Sequence, residues 1–146
     1  TFVGEGEGFK QILKLAQKMN LKRIHFMGNT SPLPFYKESS IMIMASKYEG
    51  WPMVLMEGQQ MGVIPISYNS FESITDIITN EYNGIIIPNN NIKVFIKRLK
   101  ALMDNPAKRE QMAINAIQFS NKNTKDQTVD QYLNLFKTAL NESNPK

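Results

Sequence analysis

The chain has 146 residues, and its 17 Lys and Arg against 13 Asp and Glu give a formal net charge of +4. Hydrophobic residues make up 42% of the sequence and charged residues 21%, which is typical of a folded domain and excludes a disordered chain. The absence of cysteine excludes a disulfide scaffold. No run approaches the ~18 consecutive apolar residues that a membrane-spanning helix needs. The length predicts one domain.

The first forty residues alternate between strand and helix patterns. Thr1–Val3 has the pattern of a strand end, and because the chain opens there without Met, we expect a piece of a longer protein. Gly8–Asn20 carries apolar residues at the i, i+3, i+4 and i+7 spacing of an amphipathic helix. Arg23–Met27 is a predicted strand, and a Pro-rich loop leads from it to a short helix near Phe35–Ser39.

Three short apolar runs follow, at Ile41–Ala45, Val63–Ser67 and Gly84–Pro88. Continuous hydrophobicity is typical of parallel strands that are covered on both faces. Met53–Met61, between the first two runs, is a predicted helix with a proline at its start and a glycine just past its end. This alternation predicts an α/β fold with a Rossmann-like parallel sheet flanked by helices.

Three helices are predicted after the last strand, over Ile92–Met103, from Pro106, and over about Asp126–Leu140. The stripe of the third is formed by Val129, Tyr132, Leu133, Phe136 and Leu140. We also expect the methionines at 42, 44, 53, 56 and 61 to pack in the core.

The segment that follows the first of the apolar runs combines two carboxylates with a helix start. Ligands of open parallel sheets bind beyond the carboxyl ends of the strands. Glu49 lies in the loop, Glu57 lies about one turn inside the helix, and Gly50 allows a ligand to approach the backbone closely. Carboxylates accept hydrogen bonds from neighbouring hydroxyls, so a sugar nucleotide fits this pattern. A plain helix-dipole role for an acidic residue is the alternative.

The start of this helix also offers backbone amides to an anion. Pro52 has no N–H, so we predict Met53, Val54 and Leu55 as the donors to a diphosphate. Trp51 lies beside Glu49 in the sequence and either packs on a sugar ring or anchors the loop.

Four motifs in order give the chain a family resemblance that covers nearly its whole length. The first two are Val3-Gly4-Glu5-Gly6 and Ile24-His25-Phe26-Met27-Gly28. The third consists of Glu49-Gly50-Trp51-Pro52, then Glu57, then Gly62-Val63-Ile64-Pro65-Ile66. The fourth is Asn83-Gly84-Ile85-Ile86-Ile87. Together they resemble the signature of the retaining glycosyltransferases of the GT-B fold, family GT4. Two positions depart from the family pattern, since Gly58 follows the second glutamate in place of Ala, and Ala45 stands where Pro is common.

The resemblance implies a role for each matching residue. Glu49 would be the catalytic-site residue that binds hydroxyls of the donor sugar, and Glu57 would hold the ribose hydroxyls of the nucleotide. The strand end from Phe26 to Gly28 would lie near the base. No metal and no cofactor are implied, because the nucleotide-diphosphate sugar is a substrate.

The resemblance also implies what the whole protein does. Residues 1–146 would form the donor-binding domain, the C-terminal half of a GT-B enzyme, with the acceptor domain and two diphosphate-neutralising cations upstream. The reaction would transfer a sugar to a glycan or lipid hydroxyl with retention, in polysaccharide or glycolipid synthesis. We expect the isolated chain to bind nucleotide weakly and to be inactive. A cytoplasmic location is expected, with peripheral contact at the inner membrane face left open.

A basic C-terminal half supports a rival interpretation. Its positively charged residues between 93 and 125 are Lys93, Lys97, Arg98, Lys100, Lys108, Arg109, Lys122 and Lys125. They fit either the solvated face of helices or a non-catalytic module that binds an anionic partner. No aromatic residues are interleaved with them as a base-stacking surface would need, so we expect no nucleic-acid partner.

Overall fold

The computed structural model describes residues 1–122 and 125–143. Its contacts divide the chain into a first unit, Thr1–Ser39, and a second unit from Ser40 onward. The first unit holds two helices, α1 (Phe9–Lys18) and α2 (Leu33–Glu38). Both helices lie within one or two residues of their predicted positions.

The two strands predicted in the first unit form one isolated parallel bridge, between Phe2 and Phe26. The Phe2 N–H donates to the His25 carbonyl at 2.7 Å, and the Met27 N–H donates to the Phe2 carbonyl at 2.9 Å. The rings of Phe2 and Phe26 stack with centroids 5.3 Å apart. The two strand assignments were therefore wrong, because a strand ladder needs more consecutive hydrogen bonds than this single bridge makes.

The second unit is built on a three-stranded parallel sheet. Its strands are β1 (Ile41–Met44), β2 (Ile64–Tyr68) and β3 (Ile85–Ile87), in the order β1-β2-β3. Ile41 pairs with Ile64, and Ile66 pairs with Ile85. The three apolar runs are thus confirmed as parallel strands, and the α/β prediction holds.

Helices follow each strand of this sheet. They are α3 (Met53–Gln60), α4 (Ile74–Ile77), α5 (Ile92–Met103), α6 (Pro106–Ser120) and α7 (Lys125–Ser143). The one-turn helix α4 was not predicted. Asn91 and Asn105 cap α5 and α6, since their side-chain oxygens accept hydrogen bonds from the third residue of each helix. At the end of α3, Gly62 has a φ of 77°, a left-handed backbone conformation that favours glycine at the end of a helix.

Apolar side chains cover both faces of the sheet. The cluster on one face consists of Ile64, Ile66, Ile85, Ile87, Phe95, Leu102 and Met112. The cluster on the other consists of Leu55, Met56, Ile74, Ile77 and Ile78, with Met42, Met44, Phe71 and Ile86 packed against it. Continuous hydrophobicity along the strands is explained by this two-sided burial.

Several side chains that were expected to be buried are exposed. Met53 lies on the solvent side of α3 and Met61 lies at its end, and both are exposed. The predicted stripe of α7 is exposed throughout. The amphipathic pattern identified an apolar face correctly in α7, but it carries no information on what covers that face.

Candidate functional site

The loops after β1 and β2 are joined at the carboxyl end of the sheet. The Ser70 hydroxyl donates to the carbonyl of Ser46 at 2.6 Å. The Ser73 hydroxyl donates to the carbonyl of Gly50 at 2.6 Å. Because each bond joins a side chain of one loop to the backbone of the other, the loops 45–52 and 69–73 form one connected wall.

An open cleft of about 840 Å³ lies against this wall and is lined by residues of both loops. It is lined by Tyr48, Glu49, Gly50, Trp51, Ser70, Phe71, Glu72, Ser73 and Asp76. Its volume falls within the range of small-molecule sites in proteins. It lies where open parallel sheets bind their ligands, beyond the carboxyl ends of the strands.

Three of the predicted site residues line this cleft: Glu49, Gly50 and Trp51. The side chain of Glu49 is half-buried, and Trp51 is 47% exposed. The cleft adds two further carboxylates that we did not predict, Glu72 and Asp76. The signal for them was present, because both closely follow a strand that neighbours β1.

Helix α3 begins directly after the cleft, without a side-chain cap. Its N-cap residue, Pro52, has an extended backbone with φ −73° and ψ 90°. The Leu55 N–H, predicted as a diphosphate donor, already donates to the Pro52 carbonyl at 3.0 Å. Within the described residues, the amides of Met53 and Val54 have no acceptor, as is normal for the first positions of a helix. These two amides remain as candidate donors.

Glu57 lies on α3, where its side chain is half-buried and outside the lining of the cleft. The next residue explains the departure from the family pattern. A Cβ at Gly58 would lie 2.8 Å from Cε of Met42, so the methionine side chain fills the space that an alanine would use. The structure therefore places Glu49 in the cleft and Glu57 on the helix that starts at its edge.

A buried amide fixes α3 to the turn that precedes β3. Gln59 is fully buried, and its Nε2 donates to the carbonyls of Ile77 at 3.2 Å and Asn83 at 3.4 Å. Its Oε1 has no partner among the residues that the structure describes. This role could not be predicted from the sequence, because a glutamine in a helix is usually a surface residue.

Phe26 and Gly28, predicted to lie near a base, belong to the first unit. Phe26 is half-buried between two rings, stacked on Phe2 and edge-on to Phe9. Gly28 has a φ of 67°, and its carbonyl accepts a hydrogen bond from the Gly4 N–H at 2.7 Å. Their proposed contact with a base stays a prediction.

Several basic residues of the C-terminal helices have partners within the chain. Arg98 and Lys108 both form ion pairs with Glu81. Arg109 donates from Nη1 to the carbonyls of Leu102 and Met103 at the end of α5. These contacts give part of the basic half a structural role and weaken the case for a module that binds anions there.

Among residues 1–122 and 125–143, every helix is too short or too polar to span a membrane. Nor do those residues contain a group of three or more His, Asp or Glu that could hold a metal ion, which includes the carboxylates of the cleft.

Known proteins are similar to most of the chain in sequence. Residues 1–119 match the family described as Glycosyl transferases group 1. An uncharacterized glycosyltransferase from Haemophilus influenzae is 30% identical over 113 residues, which cover 76% of this chain and 32% of that protein.

Solved structures resemble the chain in fold. A variant of S. aureus TarM, in complex with fondaparinux, α-GlcNAc-glycerol and UDP, has a TM-score of 0.85 at 23% identity and covers 92% of this chain and 28% of its own. Anabaena HepE in complex with UDP and glucose has a TM-score of 0.81 at 14% identity, covering 94% and 39%. At these identities the similarity shows the fold, and the chain spans about a third of the length of the relatives it matches.

Proposed function

Because the chain belongs to the group 1 glycosyl transferases, we propose that it binds the nucleotide-diphosphate sugar in a transfer reaction that retains the anomeric configuration. The bond between the anomeric carbon and the diphosphate oxygen breaks, and the diphosphate keeps the electron pair. An acceptor hydroxyl forms the new bond to that carbon, and its proton passes to an oxygen of the departing diphosphate. The acceptor is a glycan or lipid, and we expect its binding site to lie outside these residues, because the matched part of the chain covers only 32% of the Haemophilus influenzae relative.

The observation that carries the proposal is the uncapped start of α3 at the edge of the cleft. The Met53 and Val54 amides lie at the positive end of the helix, and they have no acceptor within the described residues. A diphosphate supplies both the acceptor oxygens and the negative charge that this helix end attracts. Preorganised donors of this kind stabilise charge that develops on a leaving group.

The carboxylates supply the remaining contacts of the proposed complex. Glu49, in the wall of the cleft, accepts hydrogen bonds from hydroxyls of the donor sugar. Trp51 offers an apolar ring surface in the same cleft. Glu57, five residues after Pro52, accepts hydrogen bonds from the ribose hydroxyls. The solved TarM and HepE structures, which hold UDP, support a uridine nucleotide as the first ligand to test.

Calorimetric titration of the chain with UDP, GDP and ADP tests the proposal. We expect one of the three to bind, and we expect Glu57→Ala to weaken that binding about tenfold or more, since hydrogen bonds to a charged group contribute about 1.5–3 kcal/mol. Glu57→Gln keeps the size of the side chain and removes its charge, so it should also weaken binding.

Gln60→Ala is the matched control, because Gln60 is an exposed residue of the same helix. It should bind as the unchanged chain does, and thermal unfolding should show that all variants are folded. Equal affinity of the unchanged chain and both Glu57 variants would remove the ribose role. No binding of any of the three nucleotides would remove the proposed function.

A further inference from the structure

The charge of the cleft is of one sign. Three of its nine lining residues are carboxylates, Glu49, Glu72 and Asp76, and no Lys, Arg or His lines it within the described residues. Lys47 belongs to the same loop as Glu49 but is not part of the lining. Among the residues that the structure describes, the negative charge of the lining therefore has no positive counterpart in the cleft.

The carboxylates come from separate loops that are held in place. Glu49 lies in the loop after β1, and Glu72 lies in the loop after β2. The hydrogen bonds from Ser70 to Ser46 and from Ser73 to Gly50 flank these positions. These bonds hold the backbones of the two loops together, so Glu49 and Glu72 are carried on one connected frame.

Aromatic rings and hydroxyl groups form most of the remaining lining. Tyr48, Trp51 and Phe71 contribute rings, and Ser70 and Ser73 contribute hydroxyls. Carboxylates and rings together suit a sugar, whose hydroxyls donate hydrogen bonds and whose C–H groups pack on apolar surface. The volume of about 840 Å³ leaves room for a hexose with ordered water.

We propose that this cleft selects the transferred sugar by charge, accepting a neutral hexosyl group and rejecting one that carries a carboxylate. Glu72 and Asp76 are then residues that determine specificity, in addition to Glu49. The inference rests on the proposed function, because it assigns the cleft to the sugar of the donor. A hexuronate would bring a fourth negative charge among three, whereas a hexose would donate hydrogen bonds to the same oxygens.

The test compares two donors that differ only at C6 of the sugar, where UDP-glucuronate has a carboxylate and UDP-glucose has a CH2OH group. UDP, UDP-glucose and UDP-glucuronate are titrated into the chain at low ionic strength. We expect UDP-glucuronate to bind at least about fivefold more weakly than UDP-glucose, as a like charge near 4 Å in water predicts. The difference should shrink as salt is added, because salt screens exposed charges.

The double variant Glu72→Gln and Asp76→Asn removes two charges and keeps the side-chain shapes. Both side chains are exposed, so neither substitution disturbs the core. We expect it to reduce the preference for UDP-glucose to less than about twofold. Glu110→Gln, an exposed residue of α6 outside the cleft, removes one charge elsewhere and should leave the preference unchanged.

The outcomes separate the two proposals. If the chain binds UDP but binds the two conjugates alike, the charge selection is wrong and the proposed function stands. Equal preference in the double variant and the unchanged chain would also overturn it, since the discrimination would then be steric. If UDP, GDP and ADP all fail to bind, the proposed function fails, and this inference fails with it.

Discussion

The second unit buries its strands on both faces, whereas the first unit leaves most of its apolar side chains exposed. In the second unit, Ile66 at the centre of β2 is 0% exposed. In the first, Leu15 and Met19 of α1 are 55% and 59% exposed. Both units have the alternating strand and helix pattern in their sequence, so the pattern alone does not decide how much surface is buried.

The difference teaches that a parallel strand depends on its neighbours. β2 has a hydrogen-bonded strand on each side and helices on both faces. The segment around Phe2 has a single bridge to Phe26. Stability of the chain should therefore depend on the second unit, while the first should tolerate changes to its apolar residues.

The largest expected effect is that of Ile66→Ala. This change removes most of a fully buried side chain from the cluster on one face of the sheet. It should lower the free energy of unfolding by about 3 kcal/mol, which denaturant unfolding measures. The matched change in the first unit, Leu15→Ala, should cost less than about 0.5 kcal/mol. Equal costs would show that the two units are packed alike.

A smaller effect is expected from Gly84→Ala, which tests how tightly the second unit is packed. The added Cβ would lie 2.8 Å from both Cγ and the carbonyl oxygen of Pro65. Since backbone cannot move aside easily, we expect a loss of about 2 kcal/mol in the free energy of unfolding.

Gly6→Ala provides the comparison in the first unit, because a Cβ there would have no atom within 4 Å. Its effect on unfolding should be near zero or slightly stabilising. A neutral Gly84→Ala would contradict the close packing described for β3 and its neighbours.

The smallest expected effect is that of Asn91→Ala at the start of α5. The Asn91 side chain accepts a hydrogen bond from the Val94 amide at 3.1 Å. Its loss should cost about 1 kcal/mol of unfolding free energy, while Asn91→Ser should retain most of the cap. In the first unit, α1 has no side-chain cap at Gly8, so no equivalent loss exists there. Equal free energies of unfolding for Asn91→Ala and Asn91→Ser would show that the side-chain cap does not stabilise the chain.

The sequence predicted the sheet well because its signal is local. Ile41–Met44 and Ile85–Ile87 are short apolar runs between turn residues, and burial on both faces requires that composition. The start of α5 at Ile92 was equally readable, since Asn91 is a favoured cap residue. Strand pairing around Phe2 was less readable, because the length of a ladder depends on residues elsewhere in the chain.

Three of the nine residues that line the cleft were predicted from the sequence. Glu49, Gly50 and Trp51 follow β1 directly, and the rule that ligands bind beyond strand ends led to them. Glu72 and Asp76 lie more than twenty residues later and reach the same cleft only through the pairing of β1 with β2. The occupation of the Leu55 amide was also hidden, since it depends on the backbone angles of Pro52.

The two serine hydroxyl bonds between the loops have a consequence for protein engineering. Each joins a side chain of 69–73 to a carbonyl of 45–52. Replacing 69–73 with a segment that lacks the two serines would leave the carbonyls of Ser46 and Gly50 without these donors, and a new 45–52 would keep the bonds only if its backbone followed the same path. Chimeras that aim to change the accepted sugar should therefore exchange both segments together, as a single cassette.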